Sequence, residues 1–202
     1  MKVTQQLPLF RNHLEKFIAL TDDEFEQFLS FFTFKKLRKN QVLIREGDAV
    51  QHTHWVTKGL LISTFTDANG KEHIIQFAPE TWWLADGASL MTGKPSLYFV
   101  DAVEESVLLL IEPAAHQAII ERVPGYAVAF RTGLQKHNAA KDERIVTALS
   151  SSAEERYLEF LERYPSLAQR VPQWMLASYL GVSPETVSRI RKQLSRNQHK
   201  AR

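Results

Sequence analysis

The chain has 202 residues, 44% of them hydrophobic and 24% charged, and a net charge of +2. This composition is that of an ordinary globular protein with one large or two small domains. The absence of cysteine excludes disulfides, a thiolate nucleophile and cysteine-ligated zinc or iron–sulfur centres. No apolar run approaches the ~18 residues of a membrane span, and Met1–Thr4 lacks the charged-then-apolar start of a secretory signal. The expectation is a cytoplasmic protein without a membrane partner.

In chain order, Leu7, Phe10, Leu14, Phe17 and Ile18 recur at helical spacing. Thr21 and Glu24 make a capping box, and Phe25, Phe28, Leu29 and Phe32 supply the apolar face of the helix it opens. From about Leu37 to Glu112 the pattern shifts to short strands: Val42–Ile44, His54–Thr57, Leu60–Thr66, Lys71–Phe77 and Ser106–Ile111. Turn residues separate them, among them Lys58-Gly59, Met91–Pro95 and Asn69-Gly70, a hairpin signal because both residues tolerate positive φ. Many short, evenly spaced strands predict a barrel or sandwich. His52 and His54 would share one face of a strand; two scattered histidines predict polar positions rather than a metal site.

After Pro113 the pattern is helical again. Ala114–Arg122 reads as a short helix, and Pro124 starts a long one running to about Leu149. Tyr126, Phe130, Gly133, His137 and Ala140 alternate at spacings of four and three, a rough heptad seam that predicts either a dimer contact or packing on the β domain. Ser150-Ser151-Ser152 reads as a hinge. Ser152 and Glu155 then form a second capping box, and Pro165 closes the helix that follows.

The stretch from Gln173 to Leu194 is the most informative. Leu176, Ala177 and Leu180 give one apolar face, and Gly181 ends that helix by taking the left-handed conformation. Ser183 caps the next helix and Pro184 occupies its first position. Val187, Ile190 and Leu194 form the inner face. Two helices crossing steeply over a short glycine turn, with small Ala177 at the crossing, predict a helix-turn-helix. Its outer face offers Glu185, Ser188, Arg189 and Lys192. Arginine can hydrogen-bond guanine through two donors and glutamate can accept from cytosine; Ser183, Thr186, Arg191 and Lys192 suit phosphate contacts. From Ser151 onward the chain carries net +4 and the remainder −2. The basic tail after Leu194 (Arg196, Lys200, Arg202) is placed to grip phosphate.

These motifs resemble the Crp/Fnr family over nearly the whole chain. Leu43-Ile44-Arg45-Glu46-Gly47-Asp48 is similar to its opening strand and turn. His54–Gly59 and the hairpin ending Asn69-Gly70-Lys71-Glu72 follow at the expected distances. Ser183-Pro184-Glu185-Thr186-Val187-Ser188-Arg189-Ile190 is similar to its recognition helix. The resemblance implies an α+β chain in three parts: a jelly-roll-like β-roll sensor over residues 1–122, a dimerisation helix and hinge over 123–150, and a helix-turn-helix domain over 151–202. It implies that Glu185, Ser188 and Arg189 read bases in double-stranded DNA for a homodimer on a palindrome. RNA polymerase and an unidentified small-molecule effector are the further partners it brings. Too few residues flank the helix-turn-helix for the β wing of many relatives, so the wing is expected to be reduced or absent.

The effector site departs from the family. Cyclic-nucleotide-binding members resemble one another in a Gly-Glu-apolar-small-Leu cassette followed by Arg-Ser/Thr-Ala, in which the Glu holds the ribose and the Arg the cyclic phosphate. Here the cassette reads Ala85-Asp86-Gly87-Ala88-Ser89-Leu90, and Ser96-Leu97-Tyr98 stands where the arginine is expected. Asp86 could still hold a hydroxyl, while Leu97 and Tyr98 are expected to crowd the pocket. An unpaired phosphate in a desolvated site is costly, so tight binding of cyclic AMP is not expected. Trp82, Trp83, Tyr98 and Phe99 are expected to fill core rather than line a ligand site. No catalytic constellation, cofactor motif or metal-ligand spacing is present. The competing reading is a ligand-sensing or protein-interaction module whose helix-turn-helix no longer reads DNA.

Overall fold

The computed structural model describes residues 7–200. Two short helices, α1 (Pro8–Leu14) and α2 (Asp22–Leu29), precede eight strands: β1 (Thr33–Leu37), β2 (Val42–Ile44), β3 (Thr53–Lys58), β4 (Leu61–Thr66), β5 (Glu72–Ala78), β6 (Trp83–Leu84), β7 (Phe99–Ala102) and β8 (Ser106–Ile111). Helix α3 (Gly87–Thr92) sits between β6 and β7. Six further helices follow: α4 (Pro113–Arg122), α5 (Pro124–Ser150), α6 (Ala153–Arg163), α7 (Leu167–Arg170), α8 (Gln173–Leu180) and α9 (Pro184–Lys200). The strands form two four-stranded antiparallel sheets, ordered β1-β8-β3-β6 and β2-β7-β4-β5. This is the anticipated α+β chain with a jelly-roll-like β-roll. Among the described residues no strand follows Ile111, so no wing is present there.

The chain forms two compact units. The first runs to Phe65 and resumes over Gln76–Asn138; the second joins Thr66–Ile75 to the residues from Ala139 onward. In the first unit, strand alternation sends side chains to two separate cores. Val56, Leu61, Val100, Leu108 and Leu110 fill the space between the sheets. Trp55, Leu109 and Ile111 point the other way, into a second core with Phe10, Leu14, Phe28, Ile119 and Tyr126 from the helices. Strand β8 is therefore buried along its whole length, and it reads as an unbroken apolar run because both its faces are covered.

Both capping boxes form as expected. Thr21 accepts from the Glu24 amide while the Glu24 carboxylate accepts from the Thr21 amide, and Ser152 and Glu155 repeat the pattern. Other expectations need correction. Helix α1 stops at Leu14, and the Phe17 and Ile18 amides both donate to the Leu14 carbonyl, a turn that still packs both side chains on the core. The β4–β5 hairpin is not built by a left-handed Asn69-Gly70 pair, because Gly70 alone has positive φ there. Asp67 organises it instead: its carboxylate accepts from the amides of Asn69 and Lys71 and from His73 Nε2–H at 2.8 Å. These bonds, His73 first, hold the Asp67 carboxyl below its usual range. Strands β1, β6 and β7 and helices α3 and α7 were not anticipated. Strand β1 is an edge strand whose lysines mask its period, and β6 is only two residues long.

Gly59 is required by a close approach. Its φ is +96°, and a Cβ there would lie 2.2 Å from Ser106 Oγ and 2.7 Å from the Glu105 carbonyl oxygen.

Candidate nucleic-acid interface

In the second unit, α6, α8 and α9 bury Tyr157, Phe160, Leu176, Ala177, Leu180, Val187 and Ile190 against one another. Ala177 is 1% exposed and Val187 0%, so the crossing of α8 and α9 has no room for a larger side chain. Gly181 takes φ +67°, and the Val182 amide donates to the Ala177 carbonyl at 3.0 Å. That bond, with the one from the Gly181 amide to the Ser178 carbonyl, satisfies carbonyls that the end of α8 would otherwise leave open. The Gln173 side chain donates to the Pro184 carbonyl at 2.6 Å and ties the start of α8 to the start of α9. Ser183 caps α9: its hydroxyl accepts from the Thr186 amide at 3.3 Å and lies 3.3 Å from the Thr186 hydroxyl.

Glu185, Ser188, Arg189 and Lys192 are all exposed. Their spacing of three, one and three puts them on one face of α9, opposite Val187 and Ile190. The Ser183 hydroxyl, and then the amide of Glu185 itself, hold the Glu185 carboxyl below its usual range. That carboxylate is therefore charged and ready to accept from a donor. Ser183 and Thr186 flank the same face at the positive end of the helix dipole, which suits an anion. Arg191 departs from expectation. It turns toward α6, where its Nε donates to the Tyr157 hydroxyl at 3.0 Å and its guanidinium lies 5.8 Å from the Tyr157 ring. The expected phosphate grip of the tail after Leu194 involves Lys200 and Arg202, whose side chains lie outside the described residues.

Behind this surface, Arg144 of α5 joins the β4–β5 hairpin to α8. It donates to the carbonyls of Ile75, Ile74 (3.0 Å) and Tyr179 (2.7 Å), and it stacks on the Tyr179 ring at 4.1 Å. The Ile74 amide donates to Ser178 Oγ at 3.0 Å. Burial lowers the Arg144 pKa from its ordinary value. Spacing along the sequence could not have singled out this residue, because its partners are main-chain carbonyls about 35 and 70 positions away.

At the ligand cassette, Asp86 caps α3. One carboxylate oxygen accepts from the Ser89 amide at 3.0 Å and the other from the Ser96 hydroxyl at 2.8 Å. Ser96 is 1% exposed, and its hydroxyl also accepts from the Tyr98 amide at 3.1 Å. Both Asp86 oxygens are thus engaged by the chain itself. Leu97 does not crowd this site as expected; it is 60% exposed, because the turn points it to solvent. Tyr98 is half-buried. Trp83 is core, as expected, and touches Phe10, Trp55 and Phe130. His54 is buried, and its Nδ1–H donates to the Leu84 carbonyl. Desolvation pushes its pKa down to about 4, so it is neutral near pH 7. No group of three potential metal ligands occurs among the described residues.

The heptad on α5 resolves toward packing. Tyr126 meets the Phe28 ring at 5.2 Å and Phe130 meets Trp83 at 5.1 Å. A Cβ at Gly133 would lie 3.0 Å from Trp83, and His137 meets Trp82 edge to face at 5.4 Å. These four side-chain positions serve the first unit. A different set of α5 side chains is exposed: Val128, Leu134, Ile145, Val146 and Leu149, the last three at 60–85%.

Residues 34–123 match the family model of the cyclic nucleotide-binding domain. No curated protein matches the chain in sequence. Among solved structures, FixK2 from Bradyrhizobium japonicum superposes with a TM-score of 0.71 at 18% identity, covering 83% of this chain and 86% of that one. The c-di-GMP responsive global regulator CLP of Xanthomonas campestris gives 0.70 at 15% identity, covering 86% and 91%. The catabolite activator protein of Thermus thermophilus gives 0.55 at 23% identity, covering 92% and 88%. None of the helices, among the described residues, is long and apolar enough to cross a membrane. Residues 34–123 thus resemble a cyclic nucleotide-binding domain, and the chain shares the fold of these three proteins.

Proposed function

We propose that the chain is a sequence-specific DNA-binding transcription regulator. It acts as a homodimer on a palindromic site, with residues 1–122 as sensor, 123–150 as dimer helix and hinge, and 151–202 as the DNA-binding part. The observation that carries this reading is the exposed row Glu185, Ser188, Arg189 and Lys192 on α9, above a sealed crossing at Ala177. A docking surface for protein would need apolar anchors at its centre, and this row has none. Arg189 and Glu185 have the chemistry to read guanine and cytosine edges, with Ser188 beside them. Ser183, Thr186 and Lys192 position the helix on phosphates. The exposed apolar side chains of α5 are the surface for a second copy.

The effector pocket does not take cyclic AMP tightly in this reading. Asp86 is engaged by Ser89 and Ser96, and the residues after it offer no arginine for a phosphate. Selection of DNA from a random pool by the purified protein, at near-physiological salt and without ligand, tests the proposal. A palindrome with half-sites about one helical turn apart is the expected result. Recovery of no sequence above background, with and without cyclic AMP, would reject it. Rescue by cyclic AMP alone would reject the reading of the pocket.

A further inference from the structure

A second feature of the first unit shares no residue with the Asp86 cassette. A cleft of about 500 Å³ opens between α1, the β5–β6 turn and the first half of α5. Small-molecule sites occupy roughly 300–1,000 Å³, so this volume suits a ligand of two or three fused rings. Its walls are ring surfaces: His13, Trp82, Trp83 and His137. The Trp82 and His137 rings sit 5.4 Å apart at 65°. Gly133 lines the same cleft. With no side chain there, the helix packs closely on the Trp83 ring, where a Cβ would lie 3.0 Å away.

Charge distinguishes the cleft from a packing defect. Lys16 and Lys136 line it, and no Asp or Glu does. Neither lysine enters an ion pair among the described residues. Both ammonium groups, after burial, help push the His13 pKa down to about 4, so both charges bear on the same spot with no counter-charge between them. Two polar atoms of the same wall, His13 Nε2 and Trp83 Nε1, are buried without a hydrogen-bond partner among the described residues.

We propose that this cleft binds a planar aromatic anion, with the rings against Trp82 and His137 and the negative group between Lys16 and Lys136. The flat walls select ring systems, and the paired lysines select a carboxylate or sulfonate over a neutral ring. This does not depend on the DNA-binding reading, because no residue of α8 or α9 contributes.

Two probes with the same ring skeleton test the proposal on the full chain. One is 1-anilinonaphthalene-8-sulfonate; the other is N-phenyl-1-naphthylamine, which lacks the sulfonate. Titration followed by probe emission and tryptophan quenching should give one saturable site per chain. The sulfonate should bind about tenfold more tightly than the neutral probe, the scale of one charge-assisted contact. The double variant Lys16→Gln/Lys136→Gln should lose that preference while the neutral probe binds as before, which shows that the cleft is still formed. Equal affinity for the two probes would overturn the proposal. So would sulfonate binding unaltered in the double variant, or the absence of saturable binding by either probe.

Discussion

Arg144 carries a consequence for stability that its structure makes quantitative. Its guanidinium gives hydrogen bonds to three carbonyls and stacks on Tyr179, and it forms no ion pair among the described residues. Arg144→Met keeps the aliphatic stem and removes every donor. Three bonds from a charged donor at about 1.5 kcal/mol each give roughly 4–5 kcal/mol gross. Returning a half-buried cation to water offsets part of this, since desolvating an ion costs several kcal/mol in real proteins. The net loss expected is about 2 kcal/mol. The assay is native-state hydrogen exchange at the Ile74 amide, which is protected by Ser178 Oγ. A loss of about 2 kcal/mol should speed that exchange roughly 30-fold if it occurs by local opening. Arg144→Lys should fall between, because one ammonium cannot present the planar fork that reaches three carbonyls. Exchange within twofold of the parent in Arg144→Met would refute the reasoning and show that the hairpin is held by packing alone.

Four further outcomes are expected. Arg189→Ala should weaken operator binding by about 1–3 kcal/mol and relax preference at one base, whereas Lys192→Ala should weaken all sequences alike and reduce the salt slope by about 1; quantitative binding at several salt concentrations separates them. Gly59→Ala should cost more than about 2 kcal/mol in thermal or urea unfolding, because a Cβ meets both Ser106 and the Glu105 main chain. His54 is held neutral by burial, with its folded pKa lowered to about 4 from 6.5. The unfolded chain thus takes up this proton first as pH falls, so the contribution is complete above about pH 6.5 and is lost between there and about pH 4. His54→Asn, whose amide can still donate to Leu84, should flatten that limb, and an unchanged acid midpoint would count against it. Ile145→Glu on the exposed side of α5 should shift sedimentation from dimer to monomer; a variant that still sediments as a dimer would place the interface elsewhere.

The helix-turn-helix was legible in the sequence because its determinants are local. Gly181 permits a left-handed turn, Ser183 caps, Ala177 is small, and apolar residues recur at helical spacing. These rules act within a few residues, and the same holds for the capping boxes at Thr21 and Ser152. The alternation of β3 and β8 was legible for a similar reason, since side chains on a strand must alternate faces. By itself, then, the sequence determined the α+β order of elements, the exposed polar face of α9 and the mismatch in the Asp86 cassette.

Tertiary structure decided what depends on partners far along the chain. Spacing shows that Tyr126, Phe130, Gly133 and His137 share one face of α5, but not whether that face meets a second copy or the chain's own Trp82 and Trp83. Arg191 has the chemistry of a phosphate contact, yet Tyr157, more than thirty residues earlier, turns it inward. Leu97 looks able to block a pocket until the turn directs it to water. The role of Arg144 and the cleft beside Lys16 and Lys136 arise only when helix, hairpin and strand are brought together. A polar or charged group's role is set by what lies within a few ångströms of it, and for these residues that neighbourhood is assembled by the fold.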